Sequence, residues 1–269
     1  MENHIDSHAE SRAVLITGGG KRIGKAIVFS LAAQGWSVVI HCHTSKHEAN
    51  NVAEKAQELG APFACVVTRD LSIAQDATSL IPHAQSMLGD IPLSALINNA
   101  SVFEPDTLQS LTCTSWDRHI NVNLRAPALL AGAFYTNLLQ HPSGQKAAQN
   151  GDGSIINITD QSSWNPNPDF LSYTLSKCGL WDLTRTLAIS LAPHVRVNAV
   201  APGMVLQNKR QSYNHFNSQR KRNILDNNGD PVDICDAIRY ILSARAMTGQ
   251  MLAIDGGMHI AMRTDAIQT

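Results

Sequence analysis

The sequence has almost no excess charge of either sign: 21 Lys and Arg stand against 22 Asp and Glu, a formal net charge of -1 over 269 residues. A dedicated nucleic-acid binder needs a strongly basic face, so this balance argues against that class. Cysteine is confined to Cys42, Cys65, Cys113, Cys178 and Cys235, odd in number, widely spaced and without a CxxC pair. Such usage fits small core hydrophobes in a reducing cytosol, and no structural disulfide is expected. No apolar run approaches the roughly 18 residues that span a bilayer; stretches such as Ala26 to Ala33 have core length. The first twelve residues carry three acids and two His, unlike the basic and then apolar pattern of a signal peptide. A cytoplasmic location and a flexible tail over residues 1–12 are therefore expected. No Pro, Gly or Ser-rich linker divides the chain, which reads as one domain over 1–269.

What is present is ample for a core. With 43% apolar residues, a chain of this size buries about three quarters of its unfolded surface and needs neither disulfide nor metal to fold. Short β-type runs alternate with helical patterns. The strand candidates are Ala13 to Thr17, Ser37 to His41, Pro62 to Val67, Ser94 to Asn98, Ser154 to Thr159, Val195 to Val200 and Met251 to Ile254. The first helix is expected from about Arg22 to Ala33. The repetition predicts an α/β, Rossmann-type doubly wound sheet of seven parallel strands with helices on both faces, its ligand lying beyond the strands' carboxyl ends. His141 to Gly153 reads as a polar surface loop. Gln207 to Pro231 holds Lys209, Arg210, Arg220, Lys221 and Arg222 before any acid appears, and is either a solvated helix face or a lid over the ligand.

The residues that follow each strand carry the chemistry. After the first comes Thr17-Gly18-Gly19-Gly20-Lys21-Arg22-Ile23-Gly24, the place where a dinucleotide pyrophosphate docks on backbone N–H groups and a helix N-terminus. Arg22 puts a cation where the helix dipole disfavours one, which makes sense beside an anion and within reach of a substrate. The second strand ends His41-Cys42-His43-Thr44-Ser45-Lys46, with no carboxylate before Glu48. An NAD site places an Asp or Glu there for the ribose, so imidazoles, hydroxyls and a lysine point instead to the 2′-phosphate of NADPH. His41, His43 and His47 lack a fixed carboxylate and are not read as a metal site. Phe103, just past the fourth strand, either plugs the loop or stacks on a flat ligand. Tyr173 and Lys177 lie four apart on one helix face. A free phenol transfers protons poorly at neutral pH; the lysine charge favours the phenolate, making Tyr173 a candidate general acid.

Taken together, TGGGKRIG, Asp70 after the third strand, NNAS, the NVNL segment, YTLSK and Pro202-Gly203 resemble the short-chain dehydrogenase/reductase family from Val14 to about Gly257. The resemblance implies that Tyr173 is the proton donor, that Lys177 binds nicotinamide ribose and lowers the tyrosine's pKa, and that Asn123 supports a proton-relay water. It further implies cofactor contacts from Gly18, Lys21, Arg22, Ile23, Gly24, His41, His43, Thr44, Ser45, Asp70, Leu71, Asn99, Ala100, Ser101, Pro202, Gly203 and Met204. A homotetramer is also implied.

Two departures from the general pattern narrow the reading. Arg22 replaces the middle glycine of the loop, and Asp160 stands thirteen residues before the tyrosine, where serine is usual. Both resemble the pteridine reductase branch, which implies an NADPH-dependent reductase of dihydropteridines. Its substrate would meet Arg22, Ser101, Phe103, Asp160, Tyr173 and Leu206. An ionised Asp160 would repel the oxyanion of a ketone, whereas a pterin's amino and ring N–H groups can donate to it. Val205 departs from the protozoan-type pattern, and Gly203 to Asn208 looks closer to bacterial dihydromonapterin reductases, so dihydromonapterin, dihydrobiopterin and dihydrofolate all stay open. A carbonyl or 3-oxoacyl reductase on the same fold is the rival reading.

Overall fold

Seven short apolar runs form strands: β1 (Ala13–Ile16), β2 (Ser37–Cys42), β3 (Ala64–Thr68), β4 (Leu93–Asn98), β5 (Gly153–Ile158), β6 (Val195–Pro202) and β7 (Met251–Ile254). The computed structural model describes residues 12–207, 212–221, 223–225 and 229–260. All six strand pairings are parallel, in the order β3-β2-β1-β4-β5-β6-β7. The period of two sorts the side chains: Val14 and Ile16 of β1 enter one core, Ala13 and Leu15 the other. The first core lies under α1 (Arg22–Ala32), α2 (Lys46–Glu58) and α9 (Pro231–Ser243). The second lies chiefly under α3 (Ala74–Leu88) and α5 (Ala126–Gln140), with α6 (Pro142–Gln149) packed on α5 and α7 (Leu171–Ser190) on the same side. Burial on both faces explains why the strands read as nearly continuous apolar runs.

Strand order reverses between β1 and β4. The chain runs outward through β2 and β3, then crosses back to β4, so the β1 and β4 ends diverge into a crevice. Thr17 joins the two ends: its Oγ1 accepts from the Asn99 and Ala100 N–H groups, both at 2.9 Å.

Three expectations change. Residues 142–149 are helical, not a loop: Pro142 opens α6 at a position where its missing N–H costs nothing, and a Cβ on Gly144 would lie 2.6 Å from the Leu138 carbonyl oxygen. Bareness at Gly144 thus lets the helix fold back on the end of α5. Arg12 is no part of a loose tail, because its guanidinium sits 4.2 Å from the Trp36 ring centre and its carbonyl accepts from Ser37; residues 1–11 lie outside the described residues. The third strand begins at Ala64, two residues beyond Pro62. Of the proposed lid, 208–211, 222 and 226–228 also lie outside the described residues, and the described part holds α8 (Tyr213–Arg220).

Candidate active site

Two cavities open at the carboxyl end of the sheet. One, of about 600 Å³, is bordered by Gly18, His41, His43, Asp70, Leu71, Ala100, Ser101 and Val102. The other, of about 990 Å³, is bordered by Arg22, Phe103, Asp160, Phe170, Tyr173, Gly203, Met204 and Leu206, among others. The glycine loop lies between them. Gly18 takes the left-handed conformation at φ +64, and a Cβ on Gly24 would lie 2.2 Å from the Gly18 carbonyl oxygen. The loop therefore closes only because both are bare, with the Gly18 and Gly19 N–H groups turned to His41 and the α1 N-terminus beside the crevice. Ile23 packs on the sheet core next to it.

His41 does not play the expected part. Burial pushes its pKa down to about 4, so the ring is neutral at pH 7. Its Nδ1 accepts from the Gly18 N–H at 3.3 Å, and Nε2–H donates to the Arg69 carbonyl at 3.1 Å. A neutral imidazole tied to two backbone groups braces the phosphate loop and brings no charge to a phosphate. His43, Thr44 and Lys46 are exposed beyond it, Ser45 half-buried. His43 lies 3.6 Å from Asp70, and Lys21 pairs with Glu48 at 2.6 Å. Asn99 also turns inward, its amide donating to the Thr17 and Gly18 carbonyls at 2.9 and 3.2 Å. Ser101 borders the smaller cavity and not the one that holds Phe103.

Arg22 is the one non-glycine residue with positive φ among the described residues, at +53. Its guanidinium donates to the carbonyls of Leu206 and Gln207 at 3.0 and 2.9 Å. It thus ties the glycine loop to the segment after β6 and stands at the rim of the larger cavity. Pro202 is buried at the end of β6, while Gly203 and Met204 reach the cavity wall.

Asp160 follows β5 in extended backbone (φ -158) and caps the short turn Gln161–Ser163: its Oδ1 accepts from the Ser162 N–H at 2.8 Å. The other oxygen accepts from the Tyr173 hydroxyl at 2.7 Å. Burial, and then the Asp160 charge and hydrogen bond, push the Tyr173 pKa well above its ordinary value. The expected lowering by Lys177 is overturned here, because a carboxylate in contact with the phenol opposes a second negative charge. Lys177 is buried with Nζ 5.8 Å from the Tyr173 ring centre, donating to the Ile158 carbonyl at 2.8 Å. Burial pulls its pKa down to about 8 despite Asp160.

Asn123 lies in a π-helical turn, Asn121–Arg125, a distortion common at functional sites. Its amide accepts from the Val102 N–H at 2.8 Å and donates to the Val102 carbonyl and Ser176 Oγ at 2.9 and 3.0 Å. The side chain is thus committed to fixing the loop before Phe103.

Several site residues were not legible in the sequence. Phe170 stacks parallel on Phe103 with ring centres 4.5 Å apart, and Phe103 meets Tyr173 edge-on at 4.7 Å. Beneath them, Asp106 accepts from the Ser172 N–H at 3.0 Å and from the Ser172 hydroxyl, while His119 Nδ1 lies 2.7 Å from Ser172 Oγ. His119 Nε2 accepts from the Glu104 N–H, so the ring proton sits on Nδ1. All three side chains are buried. Burial acts to raise the Asp106 pKa, but its bonds from Ser172 outweigh this and hold it below the usual value. No sequence spacing signalled these contacts in advance: Phe170 precedes α7 in non-helical backbone, and its ring meets Phe103 from a distant segment.

A model of the short chain dehydrogenase family matches residues 12–218. Among solved structures, FolM alternative dihydrofolate reductase 1 from Brucella suis, in complex with NADP, is 41% identical with a TM-score of 0.85, covering 94% of this chain and 97% of that one. The Brucella canis FolM complexed with NADP is 40% identical at TM-score 0.83, covering 96% and 98%. Among curated proteins, the 3-oxoacyl-[acyl-carrier-protein] reductase FabG of Staphylococcus epidermidis is 28% identical over 255 residues, covering 93% of this chain and all of that protein. With the glycine loop, the Tyr173 and Lys177 pair and the sheet order in place, the chain belongs to the short chain dehydrogenase family of oxidoreductases.

Proposed function

We propose that the protein uses NADPH to reduce a dihydropteridine to the tetrahydro form. The observation that carries this reading is the 2.7 Å hydrogen bond between Tyr173 and Asp160 in the wall of the larger cavity. Reduction of a C=N bond places a hydride on carbon and a proton on nitrogen, and bound NADPH supplies the hydride. The Tyr173 phenol, kept protonated by burial and by Asp160, shares its proton with the carboxylate, and this pair delivers it to the ring nitrogen. The cavity opens to solvent, which restores the proton. Lys177 holds a buried positive charge behind the tyrosine and binds the nicotinamide ribose. Phe103 stacks the flat ring, and the Asp160 carboxylate accepts from its N–H groups.

The adenosine half of the cofactor would lie in the smaller cavity beside the glycine loop, and its nicotinamide end would reach the larger cavity, which Tyr173, Gly203 and Met204 border. Gly18, Ala100, Asp70 and Leu71 would border the adenosine, with His43, Thr44, Ser45, Lys46 and Lys21 offering donors for a 2′-phosphate. The NADP complexes of the Brucella FolM proteins, similar along nearly their whole length, support this choice. The FabG likeness supports a second reading, reduction of a 3-oxoacyl thioester. Against it stands Asp160, whose charge would oppose an oxyanion where a serine would donate to it.

Rates of NADPH oxidation with dihydrobiopterin, dihydromonapterin, dihydrofolate and an acetoacetyl thioester separate the two. Pteridines are expected to be preferred, with loss of about 100-fold or more in Tyr173→Phe and preference for NADPH over NADH. Preference for the thioester, or a gain of thioester reduction without loss of pteridine reduction in Asp160→Ser, rejects the proposal. Assembly into a tetramer in the cytoplasm belongs to the same reading, and light scattering of the purified protein tests the assembly.

A further inference from the structure

The start of α2 carries an acid set against the donors that a cofactor phosphate would use. Gly20 of the glycine loop packs directly on the first turn of α2: a Cβ there would lie 3.2 Å from the Ala49 Cβ and 3.3 Å from the Ala49 Cα. This close approach brings Lys21, the extended residue that precedes α1, beside Glu48 in the first turn of α2. Lys21 Nζ and Glu48 Oε1 lie 2.6 Å apart, and both side chains are about half-exposed. The Lys21 bond, and after it a bond from the Glu48 N–H, hold the Glu48 carboxyl below the usual carboxylate range. That N–H belongs to the few at a helix start that have no partner inside the helix. Ser45, the residue before α2, makes no side-chain capping bond of its own. The Glu48 carboxylate thus takes an ammonium and a helix-start N–H, the two kinds of donor that suit a phosphate. A phosphate placed at the end of β2, beside Thr44, Ser45 and Lys46, would meet this negative charge.

We propose that Glu48 is a built-in rival of the cofactor's 2′-phosphate, holding Lys21 in the free protein and giving it up when the phosphate binds. Glu48 thereby limits the preference for NADPH over NADH. Lys21 exchanges one anion for another, so the phosphate gains only the difference between its own bond and the one it replaces. Afterwards it also faces a carboxylate that has lost its partner. NADH has no group that competes for Lys21, and the Lys21–Glu48 pair stays closed beside it. An exposed ion pair adds little to folding, so removing the acid is expected to act on binding and hardly on stability. This inference rests on NADPH as the cofactor.

Calorimetric titration of the full-length protein with NADP+, NAD+, adenosine 2′,5′-bisphosphate and AMP tests it without turnover. In Glu48→Gln, NADP+ and adenosine 2′,5′-bisphosphate are expected to bind about threefold to tenfold more tightly, the size of one exposed charge interaction. Binding of NAD+ and AMP stays within about twofold. Lys21→Met is expected to weaken both 2′-phosphate ligands. In that background Glu48→Gln gives a smaller gain, because only the direct repulsion is then relieved. Thermal midpoints of the ligand-free variants report that the fold is intact. Weaker or unchanged binding of NADP+ in Glu48→Gln, an equal gain for NAD+, or an undiminished gain without Lys21 overturns the rivalry while leaving NADPH as the cofactor. Tighter binding of NAD+ than of NADP+ by the wild type overturns both.

Discussion

At the residue scale, the site depends on charges held where burial disfavours them. Lys177 is the clearest case: burial lowers its pKa to about 8, so the cation is lost as pH rises through that value. The kcat/KM profile for NADPH oxidation is therefore expected to fall on the alkaline side with an apparent pKa of about 8. In Lys177→Arg, whose guanidinium stays protonated, that limb should vanish from a less active enzyme; an unchanged limb would assign it to another group. Arg22 presents a different balance. Its left-handed backbone costs on the order of 1 kcal/mol, which glycine would not incur. Two hydrogen bonds to the Leu206 and Gln207 carbonyls offset that cost. Arg22→Gly is thus expected to change thermal stability by no more than about 1 kcal/mol while raising the KM for the pteridine severalfold. A large loss of stability with no kinetic effect would show that the residue serves the fold alone.

At the scale of elements, the position of Tyr173 is set by the start of α7. The Asp106 carboxylate fixes this start through two bonds to Ser172, and the Asp106 backbone adds more: its N–H donates to the Asp169 carbonyl and its carbonyl accepts from Leu171. The Phe103 loop and the first turn of α7 are consequently one unit, with His119 of α4 (Cys113–Ile120) locked beneath it. Asp106→Asn keeps the shape but leaves one amide N–H group facing Ser172 Oγ, which already receives His119 Nδ1–H. The serine proton then lacks its acceptor. Denaturant titration should show a loss of about 1–3 kcal/mol, with a matching fall in kcat as Tyr173 and Phe103 shift together. Unaltered kcat in a destabilised variant would separate the clamp from catalysis.

At the scale of the whole molecule, the two sheet faces supply the bulk of the burial, and the ligand crevice is held open by polar groups that must stay in one protonation state. His41 is the main example. Its folded pKa of about 4 lies below the ordinary 6.5, so the unfolded chain binds the extra proton first as pH falls. Its contribution is present above about 6.5 and is lost progressively as pH falls toward 4, on the order of 3 kcal/mol in all. Urea midpoints measured at pH 7, 6 and 5 should fall in the wild type, and this slope should be weaker in His41→Leu. A slope of equal size in the variant would place the acid sensitivity elsewhere.

The fold was legible because its signals are local and repeated. Apolar runs of strand length, alternating with helical patterns, fixed seven strands within two residues of their observed bounds, and the glycine loop, Asp160, Tyr173 and Lys177 lie where strand ends must converge in such a sheet. The sequence by itself thus determined the sheet, the crevice and the residue types facing it. Tertiary structure decided what those residues are bonded to. His41 became a neutral brace, Asn123 a loop clamp, and Tyr173 a phenol governed by Asp160 more than by Lys177. Phe170, Asp106, His119 and Phe216 joined the site from loops and helices far apart in the chain. The physical reason is that periodicity records which face a residue buries, whereas hydrogen bonds and burial depend on partners that only folding brings within reach.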